Sequence, residues 1–171
     1  AEGPPIVSIV NALSALGHEV DIVSPPGIDP MSDCGEKPLD KVSQDTKGIK
    51  TLWKNISRHA REVFFELLEI AYNFYALYKI LEVLRHREID LIYERNAYFL
   101  FAGGLIAKWK KIPLVIESNE VVGIKRARPL VMKSVASFIE KFSFDQARGV
   151  LTVSSYLREC ISRVTGTPAK V

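Results

Sequence analysis

Cysteine is scarce in this chain: Cys34 and Cys160 are the only two in 171 residues. They lie far apart, with no partners at metal-type spacing, which excludes a disulfide-stapled scaffold and a zinc ribbon; both read as free thiols. No apolar run reaches the ~18 residues that a membrane span needs. The start, Ala1-Glu2-Gly3-Pro4-Pro5, lacks the basic and apolar regions of a signal peptide, so a cytosolic protein is expected. No cluster of His, Cys and carboxylates has metal-ligand spacing, and neither a metal nor a cofactor is expected. His18, His59 and His86 read as structural or exposed. From Thr51 to Arg87 both glycine and proline are absent, which removes the usual helix breakers from 37 consecutive residues.

Hydrophobic residues make up 47% of the chain and charged residues 25%, a globular composition in which one domain with one core is the expectation. The net charge of +3 is unevenly spread: residues 1–50 hold eight acidic and four basic side chains, leaving +7 for the remainder. Seven Lys or Arg lie between Lys108 and Lys133, against Glu117 and Glu120. Such a stretch suits phosphates or an anionic membrane. Nucleic acid is not expected as a partner, because only Trp109 interleaves with the basic residues.

Pro4 to Leu16 places Ile6, Ile9, Val10, Leu13 and Leu16 at helical spacing and stops at Gly17, which predicts an opening helix. His18 to Ser24 alternates as a strand should, and Pro25-Pro26-Gly27 ends it. Residues 26–50 read as a long loop or insertion. The apolar period from Thr51 to Arg87 predicts helix, with a break because a single rod would be very long. Asp90 to Tyr93 predicts a strand, Ala97 to Lys111 a helix, and Pro113 to Ile116 a buried strand. A basic loop, a helix from Pro129 to Arg148, the strand Val150 to Val153 and a helix from Ser155 to Val164 follow. Alternating strands and helices predict an α/β fold: a Rossmann-like parallel sheet with helices on both faces. In such a sheet ligands bind beyond the carboxyl ends of the strands. Gly103-Gly104 lies inside a helix without a preceding strand and turn, and reads as close helix packing rather than a phosphate loop.

Four strings occur in order: Leu16-Gly17-His18-Glu19-Val20, Asp90-Leu91-Ile92-Tyr93-Glu94-Arg95-Asn96, Ile112-Pro113-Leu114-Val115-Ile116-Glu117-Ser118-Asn119-Glu120, and Val150-Leu151-Thr152-Val153-Ser154. Together they resemble the N-terminal, acceptor-side domain of retaining family 4 glycosyltransferases of the GT-B fold. The resemblance covers nearly all of residues 1–171 and implies one half of a GT-B architecture. On that resemblance the family's first strand is expected to be missing before Gly3, and the C-terminal, donor-binding domain is expected to be absent from residues 1–171. It further implies transfer from a nucleotide-sugar donor, bound through that absent domain, to a saccharide or lipid-linked acceptor, so this segment alone is expected to be inactive. Alternatives are a non-catalytic acceptor-recruiting subunit of a two-chain enzyme, and another GT-B enzyme such as a nucleotide-sugar epimerase.

The resemblance places acceptor contacts at Gly3, Glu94, Arg95, Asn96, Asn119, Glu120 and Ser154; no catalytic acid or base is assigned. Asn119 stands where many relatives have histidine. An amide can hold a hydroxyl through its donor and its acceptor but cannot act as a base near neutral pH. Alternation from Ile116 points Glu117 and Asn119 to the same side. Arg95 offers a planar fork suited to phosphate or carboxylate. Lys125, Arg126 and Arg128 precede an apolar helix face of Leu130, Val131, Met132, Val135, Phe138, Ile139 and Phe142, a pattern that could seat the protein peripherally on the inner face of an anionic membrane.

Overall fold

The structure, a computed structural model, describes residues 5–25, 50–122 and 130–165. The chain divides into two compact units, Ala1–Lys50 and Thr51–Val171. In the first unit, helix α1 (Pro5–Ala15) opens on proline and closes on Gly17, whose φ of +87° is open to glycine without strain. The His18 N–H donates to the Leu13 carbonyl at 3.1 Å and the Gly17 N–H to that of Ser14 at 3.0 Å, the paired closure that occupies a helix's last carbonyls. Residues 18–25 form no strand. Their alternation supplies the side-chain pattern of a strand, but a ladder also needs a neighbour, and the described part of this unit holds none.

The second unit begins with α2 (Lys50–His86), followed by β1 (Ile92–Arg95), α3 (Ala102–Lys110), β2 (Leu114–Ser118), α4 (Lys133–Gln146), β3 (Gly149–Thr152) and α5 (Ser155–Thr165). The strands form a parallel sheet in the order β1-β2-β3, with Ile92 opposite Leu114 and Ile116 opposite Val150. Leu114, Ile116 and Val150 on one face pack with Ala107 of α3, Phe144 of α4 and Leu157 and Ile161 of α5 into one core. Val115 and Glu117 on the other face are half-buried, and Leu151 is exposed. A second cluster, Phe99, Leu130, Ala136 and Ile139 with Ile70 against it, lies where α2 meets the segments leading into α3 and α4.

The expected break in α2 does not occur. The helix runs unbroken for 37 residues, roughly 55 Å at 1.5 Å per residue. Nothing in its sequence removes a backbone donor, and among its described side chains Glu66, Asn73 and Ala76 are buried, while Phe64, Leu67, Phe74 and Tyr78 are exposed. Helices α3 and α4 both start later than their apolar periods predict, at Ala102 rather than Ala97 and at Lys133 rather than Pro129. In each case a side chain of α2 takes the backbone groups at the entry. The Phe101 and Ala102 N–H groups donate to Asn73 Oδ1 at 2.7 and 3.0 Å, and Asn73 Nδ2 donates to the Phe99 carbonyl at 2.7 Å. The Val131 and Met132 N–H groups donate to the two oxygens of Glu66 at 2.7 and 2.8 Å.

The paired glycines act in packing, as expected. A Cβ on Gly104 would meet Phe142 and the Ser143 backbone of α4 at 3.4 Å, and one on Gly103 would collide with the Glu94 carboxyl.

Candidate functional site

The carboxyl ends of β1 and β2 lie side by side, with Arg95 paired to Glu117 in the ladder. Alternation sends Tyr93 and Arg95 to the same side of the sheet as Glu117, and the Tyr93 and Glu117 side chains meet there. The Tyr93 hydroxyl donates to Glu117 Oε2 at 2.8 Å, and Asn119 Nδ2 donates to Glu117 Oε1 at 3.3 Å. Burial and the bond to Glu117 push the Tyr93 phenol well above its ordinary range, so it remains a neutral donor. Arg95 is exposed and has no salt bridge among the described residues, which leaves its five donors for a ligand. The Asn119 carbonyl oxygen, Oδ1, is buried and accepts no hydrogen bond.

Glu94 points the opposite way. Its Oε2 accepts the Gly103 N–H at 3.0 Å, inside the first turn of α3. The residue keeps some surface, but its carboxyl is enclosed. That burial pushes its pKa up to about 7 against the opposing hydrogen bond from Gly103. Glu94 therefore holds the start of α3 and is turned away from Arg95.

Asn96 fastens the two loops. Its backbone N–H donates to the Glu117 carbonyl at 2.7 Å, and its Nδ2 reaches Ser118 Oγ at 3.3 Å and the Glu120 carbonyl at 3.2 Å. Ser118 Oγ donates to that same carbonyl at 2.7 Å. Glu120 is exposed, with its carboxylate accepting the Tyr98 hydroxyl. At β3, Ser154 Oγ accepts the Leu157 N–H at 3.2 Å and so caps α5. Of the residues expected to meet an acceptor, then, Arg95 and Asn119 both lie on the Glu117 side of the sheet, Arg95 exposed and Asn119 half-buried. Glu94, Asn96 and Ser154 have side-chain atoms committed to holding neighbouring elements: the start of α3, the loop after β2 and the start of α5. Gly3, Lys125, Arg126 and Arg128 lie outside the described residues.

Sequence reasoning missed Glu66, Asn73 and Glu140, all fully buried. Glu140 accepts the Val122 N–H through both oxygens, at 3.0 and 3.2 Å, and so holds the turn that follows Glu120. A signal was available: buried positions of amphipathic helices are otherwise apolar, so a polar residue in the buried stripe implies a backbone group to satisfy. The helix face expected beside the basic cluster is divided. Leu130 and Ile139 are core, whereas Val131, Val135 and Phe138 are exposed, Phe138 at 74%.

Among the described residues no group of three or more His, Cys, Asp or Glu could hold a metal, and no helix is long and apolar enough to cross a membrane.

Residues 6–171 match the family described as Glycosyltransferase Family 4. Two similar proteins are both named UDP-N-acetylglucosamine--N-acetylmuramyl-(pentapeptide) pyrophosphoryl-undecaprenol N-acetylglucosamine transferase. That of Prochlorococcus marinus subsp. pastoris (strain CCMP1986 / NIES-2087 / MED4) is 26% identical over 125 residues, which is 73% of this chain and 30% of the relative. That of Prochlorococcus marinus (strain MIT 9215) is 25% identical over 130 residues, 76% of this chain and 31% of the relative. The chain thus spans about a third of the length of these relatives. No solved structure matches.

Proposed function

This chain belongs to glycosyltransferase family 4, and from that premise we propose that it is the acceptor-side part of an enzyme that transfers a glycosyl unit from a nucleotide sugar, with retention at the anomeric carbon. One observation carries the residue assignment: Arg95 and Asn119 stand together at the carboxyl ends of adjacent parallel strands, with Arg95 exposed and unengaged by salt bridges among the described residues. In this reading the Arg95 fork holds an anionic or hydroxyl-rich part of the acceptor, and Asn119 holds the hydroxyl that receives the sugar. Neither side chain takes a proton near neutral pH. Their contribution is to hold the hydroxyl in line with the donor, and positioning of this kind supplies up to ~7–11 kcal/mol in a well-organised site.

The acceptor is lipid-linked in this proposal. The similar Prochlorococcus transferases carry a pyrophosphoryl-undecaprenol in their name. An exposed apolar strip at Val131, Val135 and Phe138 also follows the basic sequence Lys125-Arg126-Ala127-Arg128. A protein working on such an acceptor sits peripherally at an anionic membrane face.

The experiment is turnover by the full-length protein on a panel of labelled nucleotide sugars with lipid-linked saccharide acceptors. Arg95→Ala and Asn119→Ala are each expected to lower kcat/KM for the acceptor by ~10- to 100-fold, about 1.4–2.8 kcal/mol, while donor affinity changes little. Wild-type turnover in both variants removes these residues from the site. If the unmodified protein consumes no nucleotide sugar, the transferase reading fails.

A further inference from the structure

The Asn119 amide has two ends, and the structure has already used one of them. Nδ2 donates to Glu117 Oε1 at 3.3 Å, and the other oxygen of Glu117 accepts the Tyr93 hydroxyl at 2.8 Å. An ionised carboxylate only accepts. Were the amide turned over, its carbonyl oxygen would face Glu117 Oε1, with two acceptors and no proton between them. Were Glu117 to swing away, it would leave the Tyr93 hydroxyl behind, and that phenol stays protonated because burial disfavours its charged form. The orientation of the amide is thus set by two residues that need not touch a ligand. Its remaining end, Oδ1, is buried and accepts nothing. Unmet buried acceptors are costly, so a donor that reaches this one gains more than it would at a solvated carbonyl.

We propose that Glu117 and Tyr93 are positioning residues that fix the orientation of the Asn119 amide with Oδ1 left as an unmet acceptor, so that the site favours a ligand hydroxyl able to donate over an oxygen that can only accept. The inference rests on the proposed function, in which the acceptor hydroxyl lies at Asn119. It narrows that reading: the end of the amide that receives the hydroxyl's proton is Oδ1, because one of the two Nδ2 N–H groups is already given to Glu117. The hydroxyl gives its proton to a hydrogen bond with Oδ1 and keeps its lone pairs directed elsewhere, which is the orientation a nucleophilic oxygen requires. Ether and ester oxygens bring no proton to Oδ1 and leave it unmet. One N–H of Asn119 is held by Glu117, and the discrimination follows from the unmet carbonyl oxygen of one oriented amide.

The test uses full-length protein labelled with 13C at asparagine Cγ, whose resonance responds to hydrogen bonding at Oδ1. The probes are methyl α-glucopyranoside, which can donate, and its per-O-methyl derivative, which can only accept. The Asn119 resonance is expected to move with the first probe, with an apparent Kd at least ~10-fold below that for the second, about 1.4 kcal/mol. In Glu117→Met neither oxygen remains to receive the Asn119 N–H or the Tyr93 hydroxyl. The amide is then free to turn, and the ratio falls towards one while the backbone amide spectrum is retained. Tyr93→Phe leaves the carboxylate in place and lowers the ratio by less; it decides the matter should Glu117→Met fail to fold. Where turnover is measurable, Glu117→Met raises KM for the acceptor more than it lowers kcat. Equal response of the wild-type resonance to both probes, no response to either, or an unchanged ratio in the folded variants overturns the proposal. The measurement needs no catalysis, so a wild type that consumes no nucleotide sugar would overturn the transferase reading separately.

Discussion

Glu94 shows how a conspicuous residue in a motif can serve the frame around a site. Its carboxyl titrates at about 7, against an ordinary value of 4.5, because its surroundings are poor in water. Below the ordinary value the group is protonated whether the chain is folded or not, and stability is unaffected. As the pH rises towards 7, the unfolded chain releases the proton while the folded one retains it, so stability falls; above 7 the loss is complete and constant. Glutamine stays neutral throughout and still accepts the Gly103 N–H. Glu94→Gln is therefore expected to stabilise the protein above pH 7 by on the order of 1–3 kcal/mol, discounted for the surface the residue retains, and to be close to neutral at pH ~4. Denaturant melts at several pH values measure this. A difference that does not grow with pH would mean that the carboxyl is better solvated than its enclosure indicates.

Helix α2 works at the scale of elements. Glu66 and Asn73 lie seven residues apart, two turns along one face, and each supplies an acceptor to the amides that open another helix. Neither α3 nor α4 has a side-chain cap of its own, since Phe101 and Met132 occupy the cap positions. Glu66→Ala strands two amides and is expected to cost about 2–4 kcal/mol, with Glu66→Gln losing roughly half as much because one acceptor survives. Asn73→Asp keeps the acceptor for Phe101 and Ala102 but sets an oxygen against the Phe99 carbonyl, so it should also destabilise. Thermal melts of the three variants rank these effects, and a silent Glu66→Ala would deny the cap.

This arrangement also explains where the sequence was legible. The strands at Ile92, Leu114 and Gly149 and helix α5 follow from local alternation and period. The starts of α3 and α4 do not, because their amides are claimed by side chains 28 to 66 residues away in sequence. The site divided in the same manner: the loops beyond β1 and β2 follow from topology and resemblance, and the shared side of Glu117 and Asn119 from alternation. The commitments of Asn96 and Ser154 depend on partners that only packing reveals, as does the orphaned oxygen of Asn119.

At the scale of the whole molecule, the exposed apolar residues of α4 bear on where the protein works. Phe138 contributes little to the core, so Phe138→Ser should leave the melting temperature nearly unchanged. If the strip and the neighbouring basic sequence rest on lipid, the full-length protein will co-sediment with anionic vesicles more than with neutral ones, and Phe138→Ser will reduce that binding several-fold. Equal binding to both kinds of vesicle would remove the electrostatic part of the idea.

The spacing between Glu66 and Asn73 turns α2 into a ruler. Seven residues at 1.5 Å of rise set the two side chains ~10.5 Å apart along the axis, and nearly two full turns keep them on one side. A point substitution removes a single mark from this ruler, whereas a one-residue insertion after Ile70 displaces a mark along the axis and rotates it by ~100°. Asn73 would then face away from the amides of Phe101 and Ala102, although every residue of the original sequence was still present. An alanine inserted there should damage folding more than the loss of either side chain. In the evolution of this segment, α2 is expected to tolerate changes of letter far better than changes of length.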